Sequence, residues 1–517
     1  MHRKSDFPLR NTLSRRAFLG STAAAVGLGL IPALHARSAR AQETLTGATV
    51  RLGMVGTGAF GKLEPHRSDG DVLQEVAVSS NLYEPLTTMN PDGTLQFLLA
   101  QSITADDATA TIWTIKIKPG VKFHNGNPLT ADDVIFSLKR IAEPGTITGG
   151  NLGPVKAYDR IDDLTVRLTL GAPRSWLPEG LSDPYSGIVP VDFKPDAPIG
   201  TGPFKLAAVN LQQGAVLERF ADYHGDHSVA DRVEVSLFAD ASATANALTS
   251  GQIDLFAAME NYLVAEFDGN AAIGIYNSPT GRFMPIQMRT DVAPFNDVRL
   301  RQALRLVLDR DVVINSAWGG YAQKGNDLYS IYDADFAADL VRQRDVEAAR
   351  KLVEEAGLAG TEVDLAMYMD SATALVLAEN AKEIGITINV KQLDGATFYG
   401  DEYFTRNFFG GDYYPNNPYF VISALCDGPN PSLDQVRWRD EEYLKLWSEA
   451  SGSLDPAVRK AKLHRMQEIL FEKGGWIIPA FGNDLAAYSV TLGGLPDHNF
   501  AGGGIYRGLS RIGHKAA

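Results

Sequence analysis

The sequence predicts a folded chain of mixed class, either α/β or α+β, because strand-like and helix-like patterns interleave along most of its length. Alternation of apolar and polar residues indicates half-buried strands at 113–117 and 166–170. Apolar residues spaced three and four apart indicate amphipathic helices, for example at 296–310. The 517 residues, 45% hydrophobic and 21% charged, suffice for two or three domains of about 150 residues.

Local signals bound the first predicted elements. Residues 47–55 form an apolar run typical of a buried strand, and a Pro-Gly turn follows the strand at 113–117. Thr130 can cap the helix after that turn, with Asp133 at the capping-box position. The helix carries its apolar stripe on Val134, Ile135 and Leu138.

Three further helices are predicted later in the chain. One runs from a cap at Asn296 to about Arg310. Its apolar face comprises Leu300, Leu304, Val307 and Leu308. Another begins after Asp345 and ends at Gly357, and Asp455–Pro456 opens the last.

The N-terminus has the pattern of an export signal. Ser14–Leu19 contains a twin-arginine pair, a mildly apolar run follows, and Ala39-Arg40-Ala41 matches a small-residue cleavage site. The alternative, a membrane anchor, is disfavoured by the glycines and Pro32 within the run. We therefore expect residues 1–41 to be a twin-arginine signal peptide and the mature chain to be periplasmic.

Charge and cysteine content exclude several classes of function. The formal charge is −14, and without the first 41 residues, which carry seven basic residues and one acid, it becomes −20. A field of this sign disfavours nucleic-acid binding. The single cysteine, Cys426, excludes an intramolecular disulfide and any multi-cysteine metal site.

Several motifs in fixed order resemble one family. The chain is similar to the extracellular solute-binding proteins of family 5, the dipeptide, oligopeptide and nickel type, over roughly residues 48–482. The motifs that carry this resemblance are at 82–86, 118–126, 200–204, 247–254, 294–304, 345–357 and 467–479.

The resemblance implies a two-lobed periplasmic binding protein fold, type II-like and of cluster C, with an extra domain inserted in lobe 1. Lobe 1 is expected at 42–270, with the inserted subdomain at about 85–190, lobe 2 at 271–480, and a return to lobe 1 at 481–517. It implies a monomeric, non-catalytic receptor without cofactor or metal. Such a receptor closes by hinge motion around a peptide or peptide-like solute and delivers it to an ABC permease.

The resemblance also implies where a ligand binds. Asp412 would pair with the α-ammonium group of the ligand, because an enclosed ammonium requires a fixed anion. Tyr413 and Tyr414 could line the cleft or pack in the core. Arg289 could hold a ligand carboxylate or form a structural salt bridge. Trp318 could stack on the ligand or pack in the core.

An alternative class of function rests on Gly56-Thr57-Gly58-Ala59-Phe60-Gly61, which matches the dinucleotide-binding pattern after a strand. Pro65 and the polar residues after it disfavour the long helix that an exported NAD(P)-dependent oxidoreductase would need there. These glycines could let the backbone approach a ligand at the mouth of the cleft, for which reason we include Phe60 among the ligand-binding residues, or they could simply turn the chain. Within the receptor class, an opine, a sugar conjugate or a nickel chelate remains open as ligand.

Overall fold

The computed structural model describes residues 45–56, 63–67, 72–146, 148–368, 371–403, 405–411, 421–422, 435–499 and 504–516. The predicted signal peptide lies outside the described residues, and so do the predicted ligand-binding residues Phe60, Asp412, Tyr413 and Tyr414. Within the part of the chain that is described, none of the helices combines the length and the apolar character that crossing a membrane requires.

The strands are numbered in chain order. They are β1 (Leu45–Thr46), β2 (Thr49–Val55), β3 (Thr87–Met89), β4 (Leu95–Phe97), β5 (Ala100–Ala105), β6 (Ile112–Ile117), β7 (Val155–Asp162), β8 (Thr165–Leu170), β9 (Phe204–Asn210), β10 (Gly214–Arg219), β11 (Arg232–Phe238), β12 (Leu255–Phe256), β13 (Ile273–Phe283), β14 (Ile286–Met288), β15 (Ala322–Lys324), β16 (Glu362–Met367), β17 (Thr387–Gln392), β18 (Phe408–Gly410), β19 (Trp476–Ile477), β20 (Ala480–Ser489), β21 (Leu492–Gly493) and β22 (Gly513–Lys515).

The α-helices follow the same convention. They are α1 (Val72–Leu82), α2 (Ala131–Ile141), α3 (Gly149–Leu152), α4 (Leu177–Gly180), α5 (Ala241–Thr249), α6 (Val298–Val307), α7 (Arg310–Trp318), α8 (Val346–Ala356), α9 (Ala372–Lys382), α10 (Gly395–Phe398), α11 (Glu441–Ser451) and α12 (Pro456–Lys473). Short 3₁₀ helices occur at Pro184–Ser186, Asn261–Phe267 and Ile505–Arg511.

Two sheets organise the fold. The large sheet has the order β13-β20-β12-β2-β11-β10-β9, with β15 also paired to β20. The second sheet has the order β17-β16-β18-β14-β19. Strand β2 is parallel to β11 and β12, and β16 is parallel to β17 and β18, so each sheet has a parallel centre. Each sheet borders its own hydrophobic core.

Two short passages that lie side by side join the two sheets, in addition to the longer segments that lead to and from β15. Strands β13 and β20 pair as far as Phe283 and Phe481, and β14 and β19 take up the pairing at Ile286 and Ile477. The passages are therefore 284–285 and 478–479. The lobe boundaries expected at 271 and 480 stay predictions.

A four-stranded antiparallel sheet, β5-β6-β8-β7, lies between β2 and β9 in the chain and falls within the subdomain expected at about 85–190. Residues that follow this sheet in the sequence contact α11, a helix that lies in the sequence between β18 and β19 of the second sheet. Ser175 donates its backbone N–H to Ser451 O (2.8 Å) and its hydroxyl to Ala450 O (3.0 Å). Trp176 packs on Trp447 with ring centroids 5.7 Å apart. Ser175 thus adds two hydrogen bonds to carbonyl groups at the C-terminal end of α11.

The structure confirms most predicted helix ends. Thr130, Asp345 and Asp455 are N-cap residues, and Gly357 ends α8 in the left-handed conformation. The helix expected at 296–310 differs, because Asp297 rather than Asn296 caps it. It also ends at Val307, since Asp309 accepts hydrogen bonds from the N–H groups of the next helix and so begins α7.

We predict that Asp133→Ala lowers the free energy of unfolding by about 2 kcal/mol, because buried Asp133 accepts hydrogen bonds from two separate segments. Its carboxylate accepts from the Thr130 N–H at 2.9 Å and from the Val191 N–H at 3.0 Å. Urea unfolding of the mature protein measures the loss. Asp132→Ala is the matched control, since the exposed side chain of Asp132 makes only a surface ion pair with Arg160 at 3.4 Å. Equal effects of the two substitutions would refute the capping role.

Candidate functional site

The carboxyl ends of three parallel strands meet at one edge of the second sheet. Tyr368 N–H donates to Gly410 O (3.1 Å) and Leu393 N–H donates to Met367 O (2.8 Å), so β16, β17 and β18 end level with one another. Ligands of open α/β sheets bind outside such an edge. We therefore place the candidate site here.

The same edge faces the passages to the large sheet. Ile286 pairs with Gly410 on one side and with Ile477 on the other, so both passages leave the second sheet where β18 ends. A Cβ added at Gly410 would lie 2.9 Å from Pro285 O, which shows how closely the first passage approaches. The candidate site therefore lies on the side from which the chain leaves for the large sheet.

Asp412 follows this edge directly in the chain. Gly411, the residue after β18, has φ +117, a conformation that glycine adopts without the strain that other residues incur. Asp412 is the next residue and lies outside the described part, as do Tyr413 and Tyr414. Their role as ligand contacts stays a prediction, and so does that of Phe60.

Arg289 lies at the opposite edge of the second sheet. Met288 pairs with Phe408, and the Arg289 N–H donates to Asn407 O (2.8 Å), at the amino end of β18. Its guanidinium forms a bidentate pair with Asp291, with Nε–Oδ1 2.9 Å and Nη2–Oδ2 2.7 Å. This hydrogen-bonded pair lowers the pKa of Asp291. The placement favours the structural salt bridge over the ligand anchor, because β18 separates Arg289 from Gly411.

Trp318 is buried at the end of α7. Its side chain belongs to the core of the second sheet and is 8% exposed. The indole covers Gly482 of β20 so closely that a Cβ there would come 2.1 Å from Cζ3. These contacts favour the core alternative over stacking on a ligand.

An aromatic cluster, comprising Tyr368, Phe398, Tyr399, Tyr403 and Phe409, lies at the carboxyl edge. Tyr368 stacks on Phe398 with centroids 5.4 Å apart and planes at 24°. Tyr399 meets Tyr368 at 5.2 Å and Tyr403 at 5.3 Å. Sequence reasoning missed these residues, because they are spread over residues 368–409 at irregular spacing and converge through strand order.

Motifs near the large sheet serve as scaffold. Buried Glu84 accepts hydrogen bonds from the Thr201 hydroxyl (2.8 Å) and the Tyr223 hydroxyl (2.7 Å) and contacts His224 Nε2 (2.8 Å). Burial raises the pKa of Tyr223. His224 is thus held by Glu84, and the described residues contain no group of three or more side chains that could hold a metal ion.

His124 fastens the neighbouring glycine-rich motif at 200–204. Its Nδ1 accepts from the Gly200 N–H (3.2 Å) and its Nε2 lies 3.1 Å from Gly202 O. Burial lowers the pKa of His124 to about 4, so the imidazole is neutral at pH 7. A Cβ at Gly200 or Gly202 would meet the backbone of Leu82 or Asn81 at 2.0 and 2.5 Å, which explains why glycine stands at both positions.

Comparison with known proteins defines the class. The family described as bacterial extracellular solute-binding proteins, family 5 Middle, matches residues 94–431, more than half of the chain. A putative ABC transporter peptide-binding protein of Brucella abortus is 26% identical over 474 residues, covering 86% of each chain. Glutathione-binding protein GsiB of Escherichia coli is 24% identical over 505 residues, covering 92% of this chain and 97% of the relative.

A solved structure shares the fold. The periplasmic binding protein DppA from Helicobacter pylori, in complex with the peptide STSA, has a TM-score of 0.76 at 19% identity, covering 91% of this chain and 99% of that one. The two-lobed α/β fold expected from the sequence is confirmed. The chain belongs to the family 5 bacterial extracellular solute-binding proteins.

Proposed function

We propose that the chain is the periplasmic solute-binding component of an ABC importer and that it captures a peptide or peptide-like solute carrying a free amine. The observation that carries this proposal is that the chain returns to the large sheet from the edge where Gly411 precedes Asp412. The similarity to a putative peptide-binding protein and to a glutathione-binding protein supports the ligand class. The expected twin-arginine signal supports export of the folded protein.

The physical basis is enclosure between two hinged halves. Two adjacent passages, 284–285 and 478–479, allow the sheets to rotate relative to one another as hinged domains do. Closing over a solute would remove its ammonium from water, and the Asp412 carboxylate would compensate that cost. In this scheme the protein is a monomer that binds its solute reversibly and catalyses no reaction. The permease recognises the closed form.

The alternative ligands and the alternative oxidoreductase function can each be tested by a different experiment. An opine, a sugar conjugate or a nickel chelate would use the same enclosure with other contacts, and native mass spectrometry of protein purified from its own periplasm would identify a retained ligand. An NAD(P)-dependent oxidoreductase would change the fluorescence of NADPH on mixing. The residues that would test the dinucleotide pattern, 57–61, lie outside the described part.

We predict that Asp412→Ala weakens binding of an amine-bearing ligand at least about 30-fold, because truncating one partner of an enclosed charge pair costs roughly 2–5 kcal/mol. Isothermal titration calorimetry with the dipeptide Ala-Ala and its N-acetylated form measures the effect. The acetylated peptide, which lacks the ammonium, should bind the wild type as weakly as Ala-Ala binds the variant.

Two further variants control this experiment. Asp412→Asn keeps the shape and removes the charge, so it should lose most of the affinity. Asp401→Ala removes an exposed acid from the same segment and should leave the affinity unchanged. Unchanged affinity of Asp412→Ala would remove this residue from the site.

A further inference from the structure

We propose that a carboxylate cluster between α4 and α12 is a proton-sensitive contact, which acidic pH tightens and which then restrains rotation of the two sheets relative to one another. The cluster comprises Glu179 of α4, Asp333 and Asp335 of the segment after β15, and Arg459 of α12. The contact does not depend on which solute binds. It rests on the proposed function only in so far as that function requires the sheets to rotate.

The carboxylate cluster joins parts of the chain that belong to different cores. Leu177 of α4 lies in the core of the four-stranded sheet, and Tyr185, which follows α4, lies in the core of the large sheet. On the other side, Gln467 of α12 accepts from the Ala337 N–H (2.9 Å) and donates to Asp335 O (2.8 Å), which ties the segment after β15 to α12. The C-terminal end of α12 accepts hydrogen bonds from α6, which packs in the core of the second sheet. Rotation of the sheets therefore moves α4 relative to α12.

The charges of the cluster do not balance, because three carboxylates share one guanidinium. Arg459 Nε lies 3.7 Å from Asp335 Oδ2, and the two side chains are 19% and 14% exposed. Across the contact, Glu179 Oε2 is inaccessible to solvent and has no hydrogen-bond partner among the described residues. Like charges that lie close together in a poorly hydrated place disfavour ionisation. The contact is therefore least favourable when all three carboxylates are ionised.

Asp333 is the carboxylate on which a proton is held most readily. It lines a cavity of about 20 Å³, which has room for about one water molecule, together with Ser330 and Met466. Burial, and then the charges of Asp335 and Glu179, raise the pKa of Asp333 to about 6. Ser330 is 1% exposed, and its Oγ has no hydrogen-bond partner in the part of the chain that is described. A proton on Asp333 adds a donor to a cavity that has an acceptor to spare.

The other charged groups beside the cluster bind elsewhere or act on one side of the contact. Lys460 of α12 donates to Ala334 O (3.0 Å), which lies in the segment after β15. His464 Nε2 lies 2.8 Å from Asp339 Oδ1, and this pair joins the same segment to α12, so titration of His464 does not act across the contact. Arg174, which precedes α4, donates to two carbonyl groups of α3 at 2.7 Å.

Acidic pH tightens the contact, because Asp333 in the contact binds a proton more readily than an ordinary aspartate, whose pKa is about 4. As the pH falls through 6, Asp333 takes up a proton in the closed contact but not when separation exposes it to water, so the closed contact gains stability. As the pH rises through 6, this gain is lost. A difference of one pKa unit between the two states changes their equilibrium about 10-fold.

The test measures distances by double electron–electron resonance in the full mature protein with Cys426→Ser. Nitroxide labels are attached through Ile161→Cys on β7 and Leu375→Cys on α9, two exposed positions on the four-stranded sheet and beside the second sheet. Without solute, we expect the ratio of the longer to the shorter distance to be about 10-fold smaller at pH 5 than at pH 8. Asp333→Asn removes the charge and should give the pH 5 distribution at both pH values. Glu179→Gln changes the opposite side of the contact and should shift the pH 8 distribution in the same direction.

Asp364→Asn is the matched control, because Asp364 is an exposed acid on β16, outside the cluster, and its loss should leave the pH dependence unchanged. Distances that are the same at pH 5 and pH 8 but shift on addition of Ala-Ala would overturn the proton-sensitive contact and leave the proposed function intact. Full pH dependence in both Asp333→Asn and Glu179→Gln would overturn it as well. A single distance that changes neither with pH nor with solute would count against sheet rotation itself, and so against both proposals.

Discussion

Asp327→Ala is expected to destabilise the protein by about 3–5 kcal/mol, because it leaves buried arginines without their carboxylate. The Asp327 side chain is 0% exposed and lies between two buried arginines. Arg310 Nη2 donates to both of its oxygens at 2.8 Å, and Arg342 Nε lies 2.5 Å from Oδ2. Truncation would strand two positive charges in the interior, which costs more than the net energy of the ion pairs.

The partners of two neighbouring arginines explain why Asp327 is needed to neutralise Arg310 and Arg342. Arg301 and Arg305 are also buried, but they donate to carbonyl groups at the C-terminal end of α12, including Lys473 O and Gly474 O. The negative end of the helix dipole stabilises these two. Burial nevertheless lowers the pKa of Arg305 to about 9. The carbonyl groups at the helix end thus accept hydrogen bonds from Arg301 and Arg305, whereas Asp327 forms ion pairs with Arg310 and Arg342.

Urea unfolding of the mature protein, followed by circular dichroism, measures the loss. Asp327→Asn keeps the volume and removes the charge, so it should lose most of the same stability. Asp311→Ala is the matched control, because Asp311 pairs with Lys324 at 2.7 Å at the exposed surface, where such pairs contribute about 0–1 kcal/mol. A loss for Asp327→Ala no larger than that of the control would refute the account.

Trp318→Ala is expected to cost about 3–5 kcal/mol of stability and to leave ligand affinity unchanged, because the indole fills the core beside β20. Removing it would open a cavity against Gly482, which has no side chain to fill it. Trp318→Phe keeps part of the volume and should lose less.

The same variant decides between the two roles that the sequence left open for Trp318. Thermal unfolding gives the stability, and calorimetry with an identified ligand gives the affinity per folded molecule. A 10-fold loss of affinity with little loss of stability would assign Trp318 to the ligand. We expect the opposite pattern, since 8% exposure leaves little of the ring to contact a solute.

Local signals in the sequence predicted local structure well. The caps at Thr130, Asp345 and Asp455 depend on a few neighbouring residues, and the structure has them. The helix expected to reach Arg310 ends at Val307, because Asp309 caps a new helix. This cap was missed because the apolar residues continue at helical spacing up to Leu308. The position of the first passage between the sheets has no local signal in the sequence, because it depends on pairing of β13 with β20, which joins residues about 200 positions apart.

The candidate site was predictable in one part and hidden in another. The resemblance pointed to Asp412. In the structure, the residue before it, Gly411, follows β18 at the carboxyl edge of the second sheet. The direction of β14, however, cannot be read from its alternating pattern, and this direction places Arg289 at the far edge. The aromatic cluster required the strand order of the second sheet, which no local spacing of its residues encodes.

The paired passages have a mechanical consequence. Each contains a proline, Pro285 in one and Pro479 in the other, and a proline nitrogen has no hydrogen to donate. The ladder of β13 with β20 stops at Phe283, and that of β14 with β19 starts at Ile286. Bending at the interruption therefore leaves the ladders of β13 with β20 and of β14 with β19 intact. The bend must also carry the segment after β15, because Gly325 N–H donates to Pro479 O (2.8 Å) and Asp327 N–H donates to Ile478 O (3.3 Å).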